Sequence, residues 1–290
     1  GCLKKEVVLK KLKPLLEDKS VKKIGQNIKF DFIVLYKQNI KMNSMEDTML
    51  MSYVLDAGKN RHNMDTLSEI HLKHKTITFK EMVGTGKKQI NFSEVELQKA
   101  MEYAAEDADI TYRLYKIFNK NLKIEKLTNI YEIFEKPLIE ILALMEIEGI
   151  RIDSEFLKNL SEKFEKKIKN LEEKIFKLSK KEFNIASTKQ LGEVMYNEMK
   201  ISSTKKTKKG SFATSAQVLE DLAYKGHELP KLVLDWRQVT KLKNTYSDSL
   251  QEHINSNSKR VHTSFLLAAT STGRLASSNP NLQNIPIKSE

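Results

Sequence analysis

The sequence predicts an α/β first part in which helices dominate, followed by a mainly α-helical second part that ends in strands. Three observations carry this. Over residues 1–124, short extended candidates alternate with helical apolar spacing. From Leu157 to Leu178, apolar residues recur at steps of three and four while lysines crowd the other face. From Val261 onward, Val261, Thr263 and Phe265 alternate with His262 and Ser264, the period-two pattern of a strand.

Taken in order, residues 5–18 read as a helix on Val7, Val8, Leu12, Leu15 and Leu16, and residues 22–24 as a short strand. Residues 28–37, 45–55 and 64–72 read as helices, and 75–89, with two glycines, as a loop. Ser93 with Glu96 has capping-box spacing and is expected to start a helix running to about Leu122. Residues 128–149 form another helix, lightly broken at Pro137 and ended by Gly149. An extended link, 150–153, leads to the long helix, capped by Asp153 or Ser154, which carries Leu157, Leu160, Phe164, Ile168, Leu171, Ile175 and Leu178. Ser187 with Gln190, and Thr214 with Gln217, predict two further capped helices. Between them residues 202–210 form a basic, glycine-terminated loop suited to phosphates. Residues 232–250 are one more helix.

The bulk properties narrow the function classes. At 290 residues and 40% hydrophobic content, two cores are affordable. No apolar run approaches the ~18 residues of a membrane span. No leader is visible, and the single Cys2 forms no internal disulfide, so a cytoplasmic setting is expected. One cysteine builds no zinc site, and His71 and His74 read as packing or surface histidines. The net charge of +12 favours a polyanionic partner. Only six basic residues are arginine, a lysine bias that an AT-rich genome would also produce. The first residue is not Met, and the last, Lys288-Ser289-Glu290, completes no element, so both ends read as cut.

Two constellations point to chemistry. In the first, Asp31 follows Asn27 by four residues just beyond a strand candidate, and Asp107 follows Tyr103 by four. On a helix, positions four apart share a face. A carboxylate can hold Mg²⁺, a phenol one turn away can orient a water, and two-metal phosphoryl chemistry needs several carboxylates around the ions. Taken singly, an Asp at a helix start is usually a cap and a Tyr/Asp pair a surface pair. Together, Ile24 to Leu35, Glu46 to Leu55, His62 to Gly86 and Tyr103 to Asp109 resemble consecutive blocks of the ribonuclease H-like 3′–5′ exonuclease domain of the bacterial family A DNA polymerases. That resemblance implies Asp31 and Asp107 as metal ligands, Tyr103 as the water-orienting phenol, and Asn27 and Phe79 beside the single-stranded 3′ end. The family also uses an upstream Asp-x-Glu pair. None stands before residue 27, so the nuclease carboxylates are an incomplete set and little or no nuclease activity is expected of this chain alone.

In the second constellation, Thr272-Gly273-Arg274-Leu275 precedes Pro280-Asn281-Leu282-Gln283-Asn284-Ile285-Pro286. By physics alone this is an irregular polar segment whose amides suit base and sugar edges. The long ordered match is similar to a signature of the family A polymerase palm. It implies Arg274 at the primer-terminal minor groove and Asn281, Gln283 and Asn284 along the template–primer. Residues 183–191, 205–222 and 237–246 resemble the family's thumb. Arg237 and Lys241, one turn apart, are placed for phosphates. The catalytic palm aspartates and the nucleotide-binding fingers of the family would lie beyond Pro286.

The expected organisation is therefore residues 1–124 as an N-terminally incomplete exonuclease domain and 125–290 as thumb and first palm strands. The expected activity is DNA-directed DNA synthesis with 3′–5′ proofreading in replication and repair. Mg²⁺, primer–template DNA and dNTPs are the implied cofactor and partners, with a monomer and no membrane. Two other readings explain less. A stand-alone nuclease of the ribonuclease D type leaves residues 272–286 unexplained, and a non-catalytic basic DNA-binding protein leaves the ordered blocks unexplained.

Overall fold

A computed structural model of the chain describes residues 3–201 and 213–285, apart from the side chain of Lys87. The basic stretch expected at 202–210 and the residues from Pro286 on lie outside the described ones.

Along the chain, helix α1 (Lys5–Glu17) precedes strand β1 (Lys23–Gly25), α2 (Ile28–Tyr36), β2 (Met45–Asp47), α3 (Thr48–Asp56), α4 (Met64–Leu72) and α5 (Phe79–Val83). The long α6 (Leu97–Ile124) follows, then a single turn α7 (Thr128–Ile130), a wide turn at Tyr131–Glu135, and α8 (Lys136–Glu148). Next come β3 (Ile150–Arg151), α9 (Ser154–Ser179), α10 (Thr188–Gly192), α11 (Ala216–Tyr224), α12 (Glu228–Leu242) and α13 (Ser249–Glu252). Three short strands close the chain: β4 (Arg260–Val261), β5 (Ser264–Leu266) and β6 (Ala276–Ser278).

The chain divides into two compact units: Gly1–Gly149 with His262–Asn284, and Ile150–Val261 with Ile285–Glu290. Residues 125–149 and 262–284, expected to belong with the second part by descent, thus pack in the first unit.

In the first unit, β1 and β2 pair in parallel, Lys23 opposite Met45 and Gly25 opposite Asp47. β5 and β6 pair antiparallel, Phe265 opposite Ser277. Helices α2, α3, α6 and α8 pack around these strands on a core of Ile28, Phe32, Leu50, Met51, Leu114, Phe118, Ile139 and Leu267. The 3.6-residue period explains α6, whose Ile110, Leu114, Phe118 and Leu122 form its buried stripe.

In the second unit, α9 packs against α12 with Leu171 and Ile175 inward, and every lysine of its opposite face is exposed. A second core gathers Ile175, Leu191, Met195, Leu219, Leu222, Leu229 and Val233. β3 and β4 pair antiparallel at Ile150 opposite Val261.

Several local expectations are corrected. Residues 45–47 are strand, because Asp47 is extended and caps α3 by accepting from Met49 N. The stretch 75–89 contains α5, started by a reciprocal box between Thr78 and Glu81. Helix α6 begins at Leu97 rather than at a Ser93 cap, because Asn91 and Glu94 close their own turn first. Residues 128–148 run as one continuous helix ended by Gly149, as expected, and the break is a wide turn at Tyr131–Glu135 just before Pro137. Helix α11 starts after Ser215, not Thr214. Helix α12 opens at Glu228, four residues before the apolar spacing suggested. Residues 276–278 are a strand, since they pair with β5. The Asp153 cap and the Ser187 cap form as expected.

Candidate functional site

Two helices and one strand end place the first constellation. Asp47, at the end of β2, is completely buried. Its Oδ1 accepts from Asn27 N at 3.0 Å and Met49 N at 2.9 Å, and its Oδ2 from Ile28 N at 3.0 Å. One carboxylate therefore serves the N-termini of both α2 and α3, where orphan N–H groups and the helix dipole favour negative charge. Burial still dominates and pushes the Asp47 carboxyl up to about 6. Asp47 N donates to the Tyr131 hydroxyl at 2.9 Å, and that hydroxyl donates to the buried Glu46 at 3.1 Å. Sequence reasoning missed Asp47. Its only signal is a carboxylate directly before an apolar helical run.

Asn27, at the entry to α2, is left-handed with φ 56°. Four residues on, Asp31 is exposed at its rim, and partial burial of its carboxyl raises its pKa. Between them Lys29 turns inward and is buried. Its ammonium pairs with Glu146 of α8 and donates to Phe265 O of β5 at 2.6 Å. Glu146 in turn accepts from Phe265 N at 2.7 Å. The helix that carries Asp31 is thereby bolted to α8 and β5.

On α6, Tyr103 and Asp107 meet as their spacing predicts. Burial first, then the Asp107 charge, pushes the Tyr103 phenol up to about 12, so it is a proton donor at neutral pH. Burial raises Asp107, the hydrogen bond from Tyr103 lowers it, and the charges of Glu106 and Asp65 add to the rise. Asp107 Oδ1 is shielded from solvent and has no hydrogen-bond partner among the described residues.

The loop before α5 is pinned to this helix. Glu106 accepts from Ile77 N at 2.7 Å and lies 2.7 Å from His74 Nε2, while Asp65 accepts from Thr76 Oγ1 at 2.6 Å. This places Phe79 beside Tyr103, with ring centroids 6.5 Å apart. Phe92 completes the group at 6.0 Å from Phe79, nearly parallel, and 5.9 Å from Tyr103. Phe79 and Phe92 are 49% and 39% exposed, so apolar rings face solvent beside Tyr103, the residue that hydrogen-bonds Asp107. Phe92 was not foreseen; it sits in a polar context without periodicity.

No hydrogen bond or ion pair joins Asp31 to Tyr103 or Asp107 among the described residues. Nor do the described residues contain three His, Cys, Asp or Glu side chains grouped to hold a metal ion. Asp107 Oδ1 suits a cation as a single ligand, but the residues present do not make a metal site.

The second constellation lies partly in each unit. In the first, Arg274 is exposed at the end of the turn 270–274, whose closure is a Thr270 Oγ1 bond to Arg274 O at 2.8 Å. Asn281 Oδ1 accepts from Gln283 N at 3.0 Å and Ser277 Oγ at 3.3 Å, which shapes the turn that leaves Gln283 and Asn284 exposed. In the second unit, Arg237 gives Nη1 to Thr214 O at 2.7 Å, and burial lowers its pKa. Lys241, one turn on, is exposed.

Among the described residues no helix is long and apolar enough to cross a membrane.

Comparison with known proteins gives two family matches in series: the 3′-5′ exonuclease model over residues 2–123 and the DNA polymerase family A model over residues 154–290. The DNA polymerase I of Rhizobium leguminosarum is 50% identical over 280 residues, 97% of this chain and 28% of that protein. That of Pseudomonas aeruginosa is 42% identical over 99% of this chain and 32% of its own length. Among solved structures, the POL domain of Pol1 from M. smegmatis in complex with DNA primer-template and dNTP superposes with a TM-score of 0.81 at 28% identity, over 96% of this chain and 45% of that one. The chain spans about a third or less of the curated relatives it matches.

Proposed function

The chain belongs to DNA polymerase family A, with a 3′-5′ exonuclease region ahead of the polymerase region, and from this we propose that it works within DNA-directed DNA synthesis with 3′–5′ proofreading. The domain limits by descent are 1–124 and 125–290. In this reading the first holds the frayed single-stranded 3′ end, with Asn27 and Phe79 beside it. Asp31 and Asp107 are two members of a larger carboxylate set toward Mg²⁺, incomplete here, and Tyr103 is a water-orienting phenol. Arg274, Asn281, Gln283 and Asn284 contact the primer–template, and Lys241 with the remaining N–H groups of Arg237 contact phosphates. The protein acts as a cytoplasmic monomer, and dNTPs are substrates of the complete polymerase.

The observation that carries this reading is the pair of exposed rings, Phe79 and Phe92, packed beside Tyr103, which in turn hydrogen-bonds Asp107. Exposed rings beside that phenol suit a base-stacking platform next to a phosphate-cleaving site. When bound, divalent ions would supply charge neutralisation at the phosphodiester. The chain's own contribution is to orient the strand end, keep Tyr103 protonated and shield Asp107.

This chain alone is expected to bind primer–template DNA with little or no catalysis. The test is a gel of end-labelled primer–template incubated with the chain, Mg²⁺ and four dNTPs. An unchanged primer with retained, salt-sensitive binding supports the reading. Shortening or extension that is lost in Asp31→Ala or Arg274→Ala controls overturns the claim of an incomplete site.

A further inference from the structure

The turn that presents Arg274 is held by a tyrosine from the other end of the sequence. Tyr53 lies on α3 and is 6% exposed. Its hydroxyl donates to Thr270 O at 2.8 Å and accepts from Gly273 N at 3.0 Å. A phenol has one donor and can also accept, so a single oxygen ties both ends of the turn. Gly273 has φ 80°, which a glycine supplies without strain. The turn itself, Thr270-Ser271-Thr272-Gly273, is closed by Thr270 Oγ1 on Arg274 O but has no apolar anchor and is mostly exposed, so the Tyr53 hydroxyl is what ties it to the helices.

Tyr53 is itself fixed. Its ring meets His62 edge-on at 5.5 Å, and His62 Nδ1 lies 2.9 Å from Ser52 Oγ. The helix it stands on is capped by Asp47, the same carboxylate that serves α2. From another side, Gly58, with φ 81°, lets the chain approach the turn closely. A Cβ there would lie 2.8 Å from Ser271 Cβ.

We propose that Tyr53 is a positioning residue for DNA binding: without touching DNA, it fixes the 270–274 turn so that the Arg274 guanidinium is presented to the duplex in one orientation. An exposed arginine on a loose turn must order both its backbone and its side chain on binding, and both costs subtract from affinity. Tyr53 removes the backbone part in advance. The proposal rests on the reading that Arg274 contacts primer–template DNA.

The experiment is a double-mutant cycle on primer–template affinity, measured by fluorescence anisotropy with the 290-residue chain, using wild type, Tyr53→Phe, Arg274→Ala and the double variant. Phenylalanine keeps the ring and removes both hydrogen bonds. Tyr53→Phe is expected to weaken binding about three- to tenfold, the scale of the lost bonds. It should leave the salt dependence unchanged, because Tyr53 neutralises no phosphate. In the Arg274→Ala background it should have no further effect. If Tyr53→Phe does not fold, Gly58→Ala displaces the same turn by crowding Ser271 while keeping the Tyr53 hydroxyl, and it should weaken binding only while Arg274 is present. Equal losses in both backgrounds, or no loss in either, overturn the proposal. If Arg274→Ala alone leaves affinity intact, the underlying DNA-contact reading fails as well.

Discussion

Removing the Asp47 carboxylate tests how the first unit is held together. It is completely buried and accepts from Asn27 N, Ile28 N and Met49 N at 2.9–3.0 Å. Asp47→Ala leaves three shielded N–H groups at two helix starts. Each stranded donor costs about 1–3 kcal/mol before relaxation. Three sharing one pocket do not add fully, so a total loss of about 3–5 kcal/mol is expected. That is a large share of the ~5–15 kcal/mol stability of a typical domain. The proton linkage sharpens the test. The folded carboxyl is pushed up to about 6 from an ordinary 3.8. A raised folded pKa means that the folded state keeps its proton longer than the unfolded state. This carboxyl therefore favours folding below about pH 4, and that advantage is lost as pH rises through 6. Two units correspond to at most about 3 kcal/mol. Asp47→Asn removes the titration while keeping the shape. Urea denaturation followed by circular dichroism at pH 4, 5, 6 and 7 gives the stability of each. Wild type minus Asp47→Asn should fall by up to about 3 kcal/mol from pH 4 to 7. A gap that stays flat or widens with pH would mean that the three N–H donors outweigh burial, and the reasoning would be wrong.

Other perturbations read different parts of the molecule. Phe79→Ala and Phe92→Ala should each weaken binding of a single-stranded oligonucleotide about tenfold, the scale of one lost base stack. Unchanged affinity in both variants would remove the stacking platform. Lys29→Ala strands Glu146 in a site where the two side chains are only 7% and 11% exposed, so a stability loss of about 3–5 kcal/mol is expected. Lys29→Met with Glu146→Leu should recover most of it, and failure to do so in denaturant titrations would count against the ion pair as the cause. Primer–template affinity should fall steeply with salt, and Lys241→Ala should reduce the slope by about one. An unaltered slope would place Lys241 away from phosphate.

Much of the architecture was legible because it rests on local periodicity. The apolar stripes of α6 and α9 follow the 3.6-residue period, and the Asp153 and Ser187 caps follow side-chain chemistry that acts within three residues. The Tyr103–Asp107 pair was legible for the same reason, as two positions one turn apart on one helix. Where competing local bonds decide, reading fails by a few residues. Ser93 lost the start of α6 to the Asn91–Glu94 turn, while α11 starts one residue later than expected, after Ser215, with no capping bond from that side chain.

By itself the sequence determined the helical framework, the order of its blocks, the basic surplus and which side chains could serve a phosphodiester. These depend on residue type and on spacings of three or four. Only the tertiary structure decided that β5 and β6 pack with α2, α3 and α8, through Lys29 to Phe265 O and Tyr53 to Thr270 O. It alone decided that Asp47 serves two helices, that Phe92 joins Phe79 and Tyr103, and that Arg237 spends an N–H on Thr214. Each of these joins residues far apart in the chain. Such pairings are selected by burial, where an unpartnered polar group costs too much to leave, and no local pattern encodes which distant partner will be there.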